Sequence, residues 1–418
     1  MSRDSHKPVA AVFCMPEDGH FMLLRPVIAG LVRSGFAVHV FTHRRFGAEI
    51  ERVGGRLEDL FTSHPLERAD ADSRPIPCRY VSFAGFYAEE ILADLRRLRP
   101  ALIVYETFAV IGRLAATQLG IPGINVSPNH NLNPAKALPL LAADPRVKIS
   151  PACHRAVEIL RERYRLADAS PFSYISGLSP DLNLICEPPA FLSEEERPAF
   201  EPLAFFGCLP WIGEFGEKSR KAVSPYFGDD PGRRRVYACF GTVIWRYYAK
   251  EALAALRAVS DYVAGRPDAV ALLGLSGAPI EPPVIRELEK PNVRVTGYVD
   301  QWSVLAEADV FVSHHGINST HEAIFHRVPM LSYPFFGDQP LLAEKCRRFG
   351  VAVPLAGSLR GPVGVEDLRR AMAALFENGE SLQARLEEAR NRELEVMARR
   401  DSVLRRILEL VAVRQGAR

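Results

Sequence analysis

The chain has 418 residues, about 2.8 times the ~150 residues of a typical domain, so two large domains or three small ones are expected. Its 48% hydrophobic and 24% charged residues exclude a disordered, collagen-like or coiled-coil chain, and a net charge of +2 excludes a strongly basic nucleic-acid binder. Seven scattered cysteines without a C-x-x-C pair argue against a disulfide framework or a cysteine zinc site and fit a cytoplasmic protein. No apolar run reaches the ~18 residues a membrane span needs.

In chain order, Val9–Cys14 (VAAVFC) reads as a buried strand, MPEDGH as a polar loop, and the stretch through Leu24, Val27, Ile28 and Leu31 as a helix. Strands follow at Ala37–Thr42, Leu102–Tyr105 and Gly123–Val126, with helices over Tyr87–Leu98, stopped by Pro100, and Gly112–Leu119. Apolar strands separated by helices predict βαβ units and a parallel sheet. Residues 127–200 are proline-punctuated, with one helix near His154–Leu166, and offer a candidate binding surface. The polar, charged stretch 214–235 reads as a linker between domains. A second series follows, with strands Val236–Phe240, AVALLG, NVRVTG, Asp309–Ser313 and PMLSY. Its helices are Glu251–Ala264, one opening near Asn318, and Gln339–Phe349. Helices over 365–378 and 381–413 close the chain. The expected domains are 1–213, 236–395 and a C-terminal helix over 396–418 that could pack back on the first. Two doubly wound α/β domains facing across a cleft would bind ligands at the carboxyl ends of their strands.

Ser313–Glu322 (SHHGINSTHE) stands where a strand gives way to a helix. Gly316 permits a tight turn, and Asn318, Ser319 and Thr320 put cap-type side chains at the helix start. Such an end attracts anions, although N-S-T-x-E also reads as an ordinary capping box with Glu322 near its third or fourth position. Three more segments belong at strand ends: Cys239–Thr242 (CFGT), Gly297–Leu305 (GYVDQWSVL) and PFFGDQP with Asp338 and Gln339.

Together these segments resemble the donor-binding region of family 1 glycosyltransferases, nucleotide-sugar-dependent enzymes of the two-domain, Rossmann-like GT-B fold that include the bacterial natural-product type. The likeness is closest over residues 298–349. It implies that His314 meets the donor pyrophosphate. Gly316, Asn318, Ser319 and Thr320 would form the phosphate turn, with Thr242 nearby. Glu322 would take the ribose hydroxyls, and Asp338 and Gln339 the sugar hydroxyls. Tyr298 stands where the family usually has a base-stacking tryptophan. Gln301 matches its glutamine, and Asp300 replaces a usual proline. It further implies no metal and no cofactor besides the nucleotide diphosphate sugar as co-substrate. Adjacent His314 and His315, with His321 and His326, are poorly arranged to share an ion.

Glu17–His20 (EDGH) follows the first strand and resembles the family's segment whose histidine is the general base. The acidic partner expected at the end of L-I-V-Y is an aspartate in the family and Glu106 here, which otherwise reads as a polar residue lining the acceptor pocket, with Asp18 a competitor. Phe83, Phe86, Phe108, Asn129 and Phe172 are candidates for an apolar acceptor pocket or, equally, for core. The resulting expectation is an inverting transfer of a hexose, UDP-linked, to a hydroxyl of a small apolar acceptor. A non-catalytic GT-B partner or sensor and a nucleotide-sugar epimerase are the alternatives.

Overall fold

A computed structural model describes residues 7–211, 225–228, 232–377 and 379–416. Most of the expected linker, 214–235, lies outside them. The chain forms two units, Met1–Pro210 with Val396–Arg418, and Trp211–Glu395.

The first unit is built on seven strands: β1 (Val9–Phe13), β2 (Ala37–Thr42), β3 (Arg56–Asp59), β4 (Leu102–Glu106), β5 (Gly123–Ser127), β6 (Leu182–Ile185) and β7 (Leu203–Phe205). They pair in the order β3-β2-β1-β4-β5-β6-β7, every pair parallel. β4 is buried along its whole length, as expected of a parallel strand covered on both faces. The register sets Phe13 of β1 beside Tyr105 of β4, so the two strands end together. Over this sheet lies a core containing Phe13, Phe83, Tyr105, Ile111 and Leu160.

The second unit repeats the plan with six strands: β8 (Arg234–Cys239), β9 (Ala269–Gly274), β10 (Val293–Thr296), β11 (Val310–Ser313), β12 (Met330–Ser332) and β13 (Ala352–Pro354). Their order is β10-β9-β8-β11-β12-β13, again all parallel. In both sheets the winding reverses once, beside the first strand, between β1 and β4 and between β8 and β11. Crossovers leave these pairs on opposite sides, which opens a crevice at their carboxyl ends.

Several boundaries differ from expectation. The first helix spans Asp18–Arg33, so His20 sits in its opening turn and not in a loop. The helix expected from Tyr87 begins at Cys78 and ends at Leu98, where Arg99 turns left-handed ahead of Pro100. The proline-rich region holds a helix over Pro134–Ala143, with proline at its start, where no N–H is needed. The single helix expected over 381–413 is two, Gly379–Ala398 and Arg400–Gly416. The last of these belongs to the first unit. Arg400 is fully buried there and donates to the carbonyls of Phe206, Gly207 and Leu209.

Candidate active site

Glu106 closes β4 at the reversal point of the first sheet and is fully buried. A carboxylate removed from water needs hydrogen bonds to remain there. Oε1 accepts from the Met15 backbone N–H at 3.1 Å, and Oε2 from that of Phe108 at 2.7 Å. The remaining contact is His20 Nδ1, 2.9 Å from Oε2. A carboxylate can only accept, so His20 carries its proton on Nδ1 and presents Nε2 as the basic nitrogen. The Phe108 ring packs on the imidazole with centroids 4.3 Å apart. Asp18 pairs with Arg45 at 3.1 Å, and the contact to His20 comes from Glu106. Burial raises the neighbouring Cys14 thiol well above its ordinary pKa, and the Glu106 charge pushes the same way.

At the reversal point of the second sheet, β11 ends at Ser313 and the chain turns through His314, His315 and Gly316 into the helix Ile317–Phe325. Two glycines make room for the His314 ring. A Cβ on Gly316 would lie 2.4 Å from His314 Nε2, and one on Gly241, which follows β8 with φ +71°, would lie 2.9 Å away. Desolvation lowers the His314 pKa to about 4, partly offset by the Cys239 backbone, so the ring is neutral at physiological pH. His315, with φ 59°, turns inward to Ser332 Oγ at 2.7 Å and Thr320 Oγ1 at 3.3 Å. Adjacent rings thus go to different surroundings. The cap position is Gly316, which has no side chain to satisfy the first-turn N–H groups. Asn318, Ser319 and Thr320 lie inside the first turn, Thr320 fully buried, and the expected capping box does not form. Glu322 instead accepts from Gln301 Nε2 at 2.7 Å, and the same amide meets Ser319 Oγ at 3.0 Å. Tyr298 is 80% exposed, and Thr242 is exposed after β8. Asp338 precedes the helix Gln339–Arg348. The buried Gln339 uses its carbonyl to accept from the Phe335 and Phe336 backbone at 2.9 and 3.3 Å. All these residues follow β8, β10, β11 or β12, and so share the carboxyl edge of one sheet.

A family model described as UDP-glucoronosyl and UDP-glucosyl transferase matches residues 280–382, the span from Tyr298 to Gln339 included. NDP-glycosyltransferase YjiC of Bacillus subtilis is 26% identical over 382 residues, covering 88% of this chain and 89% of that protein. The glycotransferase of kitacinnamycin has a solved structure that aligns with a TM-score of 0.74 at 22% identity, over 96% of this chain and 98% of that one. Glycosyltransferase VinC, solved in complex with dTDP, aligns at 0.65 and 18% identity, over 97% and 99%. The chain is a glycosyltransferase of the GT-B fold, similar over residues 280–382 to the UDP-glucuronosyl and UDP-glucosyl transferases.

Among the acceptor candidates of this glycosyltransferase, Phe108 stands against His20. Tyr174 meets Phe108 edge-on at 5.3 Å, and Phe172 lies 6.5 Å from Tyr174. Phe83 is core, between Phe61 and Tyr87 at 5.2 Å from each. Phe86 and Asn129 are half-buried, and the Asn129 carbonyl accepts from Ser127 at 3.3 Å. The other histidines of the second unit are engaged separately: His321 with Glu393 at 2.6 Å, and His326 edge-on to Trp302 at 4.5 Å. No described helix is long and apolar enough to cross a membrane. Sequence reasoning missed Glu17, Arg79, Tyr80 and Gly241. Glu17 stands inside the quoted EDGH, and Gly241 inside CFGT; both were visible as positions without a stated task.

Proposed function

We propose that this glycosyltransferase is inverting and moves a hexose from a UDP-sugar to a hydroxyl of a small apolar acceptor. The observation that carries the reading is the 2.9 Å contact between His20 Nδ1 and the buried Glu106. His20 Nε2 takes the acceptor proton as the oxygen attacks C1. The bond from C1 to the phosphate oxygen breaks on the opposite face, and the diphosphate leaves with the electron pair. Glu106 stabilises the imidazolium that forms. General-base assistance of this kind is worth ~10²–10⁴-fold.

The donor belongs to the second unit in this reading. Neutral His314 and the N–H groups opening the helix Ile317–Phe325 take the diphosphate, with Gly316, Asn318, Ser319, Thr320 and Thr242 shaping the turn. Thr320 acts through the backbone, since its side chain is buried. Glu322, steadied by Gln301, takes the ribose diol. Tyr298 offers its exposed ring to the base. Asp338 and the NH₂ end of Gln339 meet the sugar hydroxyls. No metal is required, because helix-end donors and a neutral histidine supply the stabilisation of the departing diphosphate. Phe108 and Phe172 furnish apolar surface for the acceptor beside His20. The protein is proposed to work in the cytoplasm.

Product analysis tests this directly. Purified protein is incubated with UDP- and dTDP-hexoses and a panel of phenolic and polyketide alcohols. The product's anomeric configuration is then read by NMR. Transfer with inversion from a UDP-sugar is expected. Retention of configuration would reject the mechanism, and turnover confined to dTDP-sugars would reject the donor.

A further inference from the structure

The start of the helix that carries His20 is held from outside. Glu17 is its cap residue, and Glu17 N–H donates to the Met15 carbonyl at 2.7 Å. Met15 in turn is the residue whose N–H holds Glu106 Oε1. The short path Met15–Glu17 therefore connects the carboxylate of the pair to the helix of the imidazole. Its own side-chain anchor is a cluster on another helix, Cys78–Leu98. Arg79 Nη2 donates to Glu17 Oε1 at 2.6 Å, and the Tyr80 hydroxyl donates to the same oxygen. Arg79 Nη2 also meets the Tyr80 oxygen at 2.7 Å.

These three groups are poorly hydrated. The Arg79 and Glu17 side chains are 19% and 18% exposed, and Tyr80 is 1% exposed. Burial and the Glu17 charge raise the Tyr80 hydroxyl well above its ordinary pKa, so it remains a donor. The Tyr80 ring also lies 6.3 Å from Phe108, the ring that packs on His20. An ion pair with little water around it is expensive to break on one side, because the partner left behind keeps its charge and loses its counter-charge. Without Arg79, the Glu17 carboxylate would turn toward solvent and pull the opening turn of the helix with it.

We infer that Arg79 is a positioning residue for the His20–Glu106 pair, acting through Glu17 and assisted by Tyr80. The inference rests on the reading of His20 as the base. Arg79 touches neither the reacting atoms nor the imidazole. It fixes the path between the two catalytic side chains, so its loss should be felt in turnover and not in donor binding. A misplacement of about 1 Å in such a pair can cost ~10²-fold.

The test measures kcat and the donor KM for Arg79→Gln, Arg79→Lys, Tyr80→Phe and His20→Ala, and for the double variant Arg79→Gln/His20→Ala. Arg79→Gln should lose roughly 10–100-fold in kcat with the donor KM within about twofold of wild type. Arg79→Lys, which keeps the charge, should recover part of that loss, and Tyr80→Phe should show a smaller one. In the His20→Ala background, Arg79→Gln should cost almost nothing more, since residues acting as one unit are not additive. A purely structural role would give the same loss in both backgrounds and would overturn the inference. A large loss in His20→Ala beside normal kcat in Arg79→Gln would overturn the inference alone. Normal transfer by His20→Ala would overturn the base assignment and this inference with it. Should Arg79→Gln fold poorly, the Lys and Phe variants carry the same comparison.

Discussion

The two sheets have the same winding, and each puts a histidine past the strand pair where the winding reverses, His20 after the first strand of its sheet and His314 after the strand that corresponds to β4. The histidines nevertheless differ in chemistry. His20 meets a carboxylate that two backbone N–H groups hold in place, and its ring remains partly exposed. His314 is buried against two glycines, and no carboxylate pairs with it among the described residues. Desolvation with no compensating anion keeps it neutral. The two strands of one reversal point thus carry a ring equipped to gain a charge in one sheet and a ring prevented from gaining one in the other. The partner and the hydration set the difference.

The largest effect that would break this contrast is at His20. His20→Ala should lower kcat by ~10²–10⁴-fold while leaving UDP-sugar binding intact. Glu106 comes next. Glu106→Gln keeps the shape and removes the charge, and should lose most of the same activity. Glu106→Asp restores the residue usual in the family, yet here it should be impaired by roughly tenfold or more. The shorter carboxylate cannot reach the Met15 and Phe108 N–H groups and His20 together from this backbone. An Asp variant as active as wild type would show that the loop adapts, and pre-steady-state turnover would reveal it.

On the other sheet the expected losses are in binding. His314→Ala and Gly316→Ala should weaken UDP by roughly 10–100-fold, the worth of a hydrogen bond to a charged group, and should remove most of the UDP-induced rise in Tm. Calorimetric titration with intact kcat at saturating donor would sharpen the division of labour between the sheets. Transfer in EDTA should match that in buffer. Loss of activity restored by magnesium or manganese would give the phosphate work to an ion.

The smallest effect is on folding. His314 and His326 have pKa values near 4, and His315 near 3, each lowered chiefly by burial. Unfolded, these rings titrate near 6.5, so between about pH 6.5 and 4 the unfolded chain binds more protons. Stability should therefore be full above pH 6.5 and fall as the pH drops towards 4. His326→Phe, which keeps a ring against Trp302, should flatten the dependence of Tm on pH, read by scanning calorimetry.

Much of this was legible in the sequence because parallel strands buried on both faces appear as short apolar runs, as in VAAVF and LIVYE. The strands that escaped notice are short or marginal: RLED of β3, LNLI of β6, LAF of β7 and AVP of β13. Their pairing comes from the neighbouring strand and not from their own composition. The site was visible where one residue type carries the chemistry, as with His20, Glu106 and His314. It was hidden where packing carries it. The helix Cys78–Leu98 opens with aromatic residues, a β-branched residue and Gly85, all weak helix formers. Gly85 is there because a Cβ would come within 2.8 Å of Ala156. With the expected start moved to Tyr87, Arg79 and Tyr80 fell outside any element. Backbone donors such as Met15 N–H have no signature in side-chain identity.

The buried Arg400 clasp has a consequence for how the protein is made. The carbonyls it binds stand 191 to 194 positions earlier in the chain. A ribosome finishes the whole donor-side sheet before it delivers that arginine. The unit bearing His20 has its strands early but waits for its last segment, with Phe206, Gly207 and Leu209 unclasped, until after the second sheet has been made. All strands of the first sheet are made before β8 begins, but its segment after β7 stays unclasped until the chain is nearly finished, so a nascent chain arrested before Arg400 should resist protease over β8–β13 and be cut near Phe206–Leu209.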